Sequence, residues 1–212
     1  MLALSLATAG VAAAATTPEF KPVPTKKKFT STNGGTTLTG GGALVDITCA
    51  KGVTKGEITS STTVGNVIET FTGCTGESSG GLECTAQTVG AKSGEIVSRA
   101  LQGVLGAVKS SEAPSEVGLA LWKQNEKFSQ GNQFTLEATE CAPETNILGS
   151  AAMEVTPTKK KQTTVKLVMI PHDVTFTLAS GLKETSELEA WGHLVKENGT
   201  YETTFEEALE VT

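Results

Sequence analysis

The chain has 212 residues, a formal net charge of −6, 38% hydrophobic residues and only 5% aromatics. Thr (33), Gly (23) and Ser (15) make up about a third of it, a mix that argues against helix bundles, coiled coils and nucleotide-binding α/β domains and for a turn-rich all-β protein. Arg99 is the sole arginine and Asp46 and Asp173 are the sole aspartates, which excludes an arginine-rich nucleic-acid face and Asp-rich calcium loops.

In chain order, residues 2–15 read LALSLATAGVAAAA, an apolar run of signal-peptide length and short of the about 20 residues a transmembrane helix needs. Ala13 and Ala15 fit the small-residue cleavage rule, with the cut before Thr16, although no Lys or Arg precedes the run. Export to a secreted or cell-surface location is therefore the expectation, and no other run has the length and apolarity to span a bilayer. Residues 16–28, TTPEFKPVPTKKK, hold three of the seven prolines and read as an extended lead-in rather than core. Residues 29–212 follow as a single all-β domain, with 157–162 as the one candidate sub-boundary.

Within that domain, short Thr-rich and β-branched runs recur every 8–14 residues between Gly, Ser, Asn and Pro. The predicted strands, about 12 in number, are Leu44–Cys49, Gly56–Ser61, Val64–Thr72, Gly94–Arg99, Gly103–Val108, Val117–Lys123, Gln133–Glu140, Ile147–Val155, Thr163–Met169, Val174–Ala179, Leu188–Val195 and Phe205–Val211. Val174, Phe176 and Leu178 alternate with Thr175 and Thr177, the antiparallel pattern of one buried and one wet face. Asn33-Gly34-Gly35, Gly131-Asn132 and Asn198-Gly199 read as hairpin turns. The expected fold is an antiparallel β-sandwich or a distorted β-barrel.

The order of residues also resembles a known group. The export signal is followed by KFTST (28–32), a first Cys at 49, GEIT (56–59), VGNVIETFTGC (64–74), a Cys at 84, GEIVS (94–98), LQGVLGAV (101–108), VGLALW (117–122), EC (140–141) and LGS (148–150). This is similar to a family of secreted proteins of unassigned function that is abundant in soil actinobacteria. The resemblance runs from about Pro18 to Pro157, and Phe-Thr-Gly-Cys is its most specific block. It implies an extracytoplasmic location and paired cysteines, and it implies no activity.

The candidate chemistry is sparse. An even count of four cysteines, Cys49, Cys74, Cys84 and Cys141, reads as two disulfides in an exported chain. Of the three connectivities, Cys74–Cys84 across a hairpin with Cys49–Cys141 tying distant strands is the favoured one. No CxxC occurs and neither histidine lies near a cysteine, so no metal and no cofactor is expected. Gly76-Glu77-Ser78-Ser79-Gly80 matches a nucleophile elbow, but that chemistry needs a strand–turn–helix and the motif falls in a Ser/Gly-rich loop. His172-Asp173 reads as a turn, and His193 shares a face with Trp191 and Val195 on a strand through 188–195. Trp191 and His193 are the candidate binding residues, and no catalytic residue is assigned.

The lysine triplets 26–28 and 159–161 are solvated charges with a modest attraction for anionic polymers, about 1 kcal/mol per lysine near an anionic surface. Asn198-Gly199-Thr200 matches a glycosylation sequon but reads as a turn. The expected role is a non-enzymatic extracellular binding or structural module, with a cell-wall polymer or another surface protein as candidate partner and no nucleic acid. The alternatives are a secreted hydrolase of polysaccharide or cell wall and a barrel carrying a small apolar ligand. A carboxylate pair at the base of a cleft favours the first, and a deep apolar cavity the second.

Overall fold

A computed structural model describes residues 17–23, 26–40, 44–109, 116–170, 174–178 and 180–212. Among these residues there is no helix, and sixteen strands pair antiparallel throughout. They are β1 (Phe20–Lys21), β2 (Lys27–Asn33), β3 (Thr36–Thr39), β4 (Val45–Ile58), β5 (Thr63–Ser78), β6 (Glu83–Thr88), β7 (Glu95–Val97) and β8 (Leu101–Lys109). The second half holds β9 (Glu116–Lys123), β10 (Asn132–Ala138), β11 (Ala142–Thr156), β12 (Gln162–Met169), β13 (Val174–Leu178), β14 (Lys183–Ser186), β15 (Leu188–Ala190) and β16 (His193–Val211).

The pairings close on themselves. One ring of eight runs β2–β4–β5–β8–β9–β11–β12–β16 and back to β2. A second ring runs β3–β4–β5–β6–β10–β11–β15–β16 and back to β3. The long strands β4, β5, β11 and β16 belong to both, so the rings are two tiers of one tall structure. The upper tier carries the first and last described strands, since β1 pairs with the end of β16. Closure leaves the ring strands no unpaired edge, the usual liability of an all-β chain.

Period-two patterning explains which face turns inward. Val45, Ile47 and Cys49 of β4 are buried while Asp46, Thr48 and Ala50 are exposed. The upper tier is filled by an aromatic cluster. Phe205 meets Phe20 and Phe29 edge-on, with ring centroids 6.3 and 6.5 Å apart. Phe20 lies in the stretch expected to lead into the domain, yet it is only 3% exposed and part of this core. A second, smaller core lies outside the ring, where the β13–β14 hairpin folds over the wall. There Phe176 packs with Phe128, Val108, Ala120 and Ala152. Gly106 and Gly118, opposite one another in β8 and β9, leave the flat spot that the Phe176 ring occupies; a Cβ at Gly106 would collide with that ring.

Several expectations are corrected. The strand number is sixteen because strands also form at Phe20–Lys21, Lys27–Asn33, Thr36–Thr39, Glu83–Thr88 and Lys183–Ser186, while the expected strands Leu44–Cys49 and Gly56–Ser61 are one continuous strand, β4. Asn33-Gly34-Gly35 is no hairpin: β2 and β3 both pair with β4 and β16 in succession, so the glycines interrupt one line of pairing. Asn33 Nδ2 donates to Thr36 Oγ1 across that break at 2.5 Å. Gly131-Asn132 likewise does not join paired strands, because β9 and β10 both lie along β11. Asn198-Gly199 lies inside β16, opposite Thr36 and Thr37.

The disulfides are Cys49–Cys74 and Cys84–Cys141 rather than the favoured pairing. Register is the reason. Cys49 and Cys74 are direct partners in β4 and β5 with Cα atoms 4.0 Å apart, whereas Cys84 is the partner of Gly76. Cys84 is thereby offset from Cys74 and is bridged instead to Cys141, in the turn before β11.

Candidate functional site

The residues singled out from sequence are scattered. Ser78 ends β5, and its Oγ accepts from the Leu82 amide at 3.1 Å inside a tight turn; no helix follows it. His172 and Asp173 lie outside the described residues. Trp191 and Gly192 form the turn between β15 and β16, so no single strand carries Trp191, His193 and Val195. The Trp191 indole donates from Nε1 to the Pro143 carbonyl at 2.8 Å and its amide donates to Thr145 Oγ1 at 3.0 Å, while His193 is exposed. Trp191 is thus a half-buried anchor of the turn.

The structure does bring the two lysine triplets to one end. Lys26 donates its amide to the Ile58 carbonyl and Lys159 donates its amide to the Val211 carbonyl, so both runs border the upper rim. Lys27 pairs with Glu207, and that hydrogen bond and charge raise its pKa. Among the described residues no group of three or more His, Cys, Asp or Glu is placed to hold a metal.

Open space is on the outside. Two cavities lined by core residues measure about 30 Å³ in the lower tier and about 20 Å³ in the upper. A water-sized occupant fits there, whereas small-molecule sites are roughly 300–1,000 Å³. Two open grooves are far larger. One, of about 690 Å³, runs over the outer wall of β4, β5 and β6. Its floor carries Asp46, Glu77 and Glu83 directly opposite one another, with Thr48, Thr75 and Thr85 as the next row. Like charges so placed repel.

The other groove, of about 700 Å³, lies at the upper rim between Pro18, Glu116, Glu154 and Lys159. Glu154 is opposite Gly118, so Glu116 is its diagonal neighbour on the same face. Burial, then the hydrogen bond and charge of Glu116, hold the Glu154 carboxyl above its ordinary pKa.

The sequence reading missed a third cluster, inside the ring where the tiers meet. Glu69 of β5 is 5% exposed and its carboxyl pKa is pushed up to about 8, chiefly by burial and further by the charge of Glu197, with the Thr54 hydroxyl opposing. Tyr201 donates its hydroxyl to Glu197 Oε1 at 2.8 Å. Burial raises the Glu197 pKa, and burial and the neighbouring carboxyls raise that of Tyr201 well above the usual range. The signal was available: Glu69 has the parity of buried Val67 and Phe71.

The two disulfides fit an oxidising compartment, and among the described residues no helix is long and apolar enough to cross a membrane. Compared with protein families, curated proteins and solved structures, the chain matches none.

Proposed function

We propose that the protein is an exported, non-enzymatic module of barrel type that acts through its outer surface, outside the cell or on its envelope. The observation that carries this reading is the distribution of space: interior cavities of about 20–30 Å³ against open grooves of about 690 and 700 Å³. A carrier of a small apolar ligand needs the opposite. The closed run of pairings favours a barrel over a sandwich. The apolar run at 2–15, the disulfides and the resemblance to secreted actinobacterial proteins support export. A cell-wall polymer or a surface protein remains the partner class; the lysines gathered at the upper rim suit an anionic polymer.

The test uses protein recovered from culture medium. Retention on isolated wall polymer or on a surface protein, with no turnover of ester, peptide or polysaccharide panels, is the expected result. Turnover that disappears in Ser78→Ala, His172→Ala or His193→Ala, with the fold intact, overturns it. One observation favours a hydrolase instead: the Glu116–Glu154 pair lines an open groove. That reading predicts turnover lost in Glu154→Gln.

A further inference from the structure

The two tiers meet at a belt of polar side chains facing into the ring. In register across β16, β2, β4 and β5, Thr203, Ser31, Thr54 and Glu69 stand side by side, all buried. Ser31 and Thr203 share a hydrogen bond of 2.7 Å. Ser98, which follows β7, exchanges two 2.8 Å bonds with the Glu69 backbone. From β16, Glu197 and Tyr201 face the same region, with Thr36 of β3 and Asn33 of β2 beside them. One buried polar atom there, Asn33 Oδ1, lacks a hydrogen-bond partner.

The belt has no positive charge. Among the described residues, no Lys, Arg or His is buried. The ionisable groups acting on Glu69 are therefore an acid, Glu197, and a phenol, Tyr201. A second buried anion in such a place has no counter-charge and costs far more than a neutral carboxyl. Glu197 takes a hydrogen bond from Tyr201, which favours its ionised form, whereas burial and the Glu197 charge both favour a proton on Glu69.

We propose that the belt is a proton-controlled joint: where the tiers meet, the ring accommodates the buried Glu69 carboxyl in its neutral form, and its ionisation loosens the packing there. The direction of the pH effect follows. Glu69 titrates near 4.5 when unfolded and near 8 when folded. Between those values the folded state holds the extra proton, so stability is highest below the window, falls as pH rises through it and levels above about 8.

Denaturant unfolding of the full chain across about pH 6 to 9 tests this, with the folding constant expected to fall about tenfold from pH 6 to 7, about fivefold from pH 7 to 8 and little beyond. Glu69→Gln should flatten that slope, and Glu197→Gln should move the midpoint down. Exchange protection should drop first at residues 67–71 and 201–203. A flat wild-type profile, an unchanged slope in Glu69→Gln or uniform loss of protection overturns the joint. Should Glu69→Gln not fold, the wild type decides by infrared: a protonated-carboxyl band present at neutral pH and lost on raising it is expected, and its absence refutes the proposal.

Discussion

The two tiers share four strands yet are held by different means. The upper tier packs Phe20, Phe29 and Phe205 at its centre and contains no cysteine. The lower tier holds both disulfides, and its unshared strands include the short pieces Thr36–Thr39 and Leu188–Ala190. Short pairings bury little apolar surface, and aromatic side chains bury the most. Covalent cross-links therefore stand in the tier with the shortest ring strands, and an aromatic cluster where the chain ends are held without them.

That contrast can be broken from the lower side first. Removing Cys84–Cys141, which spans 57 residues, should cost about 4 kcal/mol, and removing Cys49–Cys74, which spans 25, about 3.5 kcal/mol on the chain-entropy account. Denaturant titration of the paired Cys→Ala variants gives the sizes. Hydrogen exchange after reduction should show protection lost in β3, β6, β10 and β15 before β2, β8, β9 and β12.

From the upper side, Phe205→Ala should cost about 3–5 kcal/mol and loosen β1 first, because the Phe20 and Phe29 rings lose their shared partner. Thermal unfolding measures the first effect and exchange at Phe20 and Lys21 the second. Gly106→Ala tests the outer core alone: displacing the Phe176 ring and the Thr177 carbonyl of β13 should cost about 1–3 kcal/mol while both tiers stay protected. The smallest effect is expected for Ser31→Ala, about 1 kcal/mol from the lost bond to Thr203, read by denaturant midpoint.

Much of the architecture was legible because burial imposes a period of two. The expected strands Thr163–Met169 and Val174–Ala179 match β12 and β13 within a residue at each end. What escaped was register. Asn-Gly pairs signal hairpins only where the flanking strands pair with each other, and at Asn33 both flanks pair with third strands instead. Glu69 escaped for a related reason. A glutamate amid threonines reads as solvent-facing until its parity with Val67 and Phe71 is weighed against its type.

Composition and periodicity by themselves determined that this chain is all-β, antiparallel and built on four paired cysteines, because backbone preference and alternation are local properties of the sequence. Only the tertiary structure decided which cysteines join, which lysines gather at one rim and which glutamates meet inside. Those depend on which strands become neighbours and in what register, and a shift of one residue would turn Glu69 out to solvent and Cys49 away from Cys74.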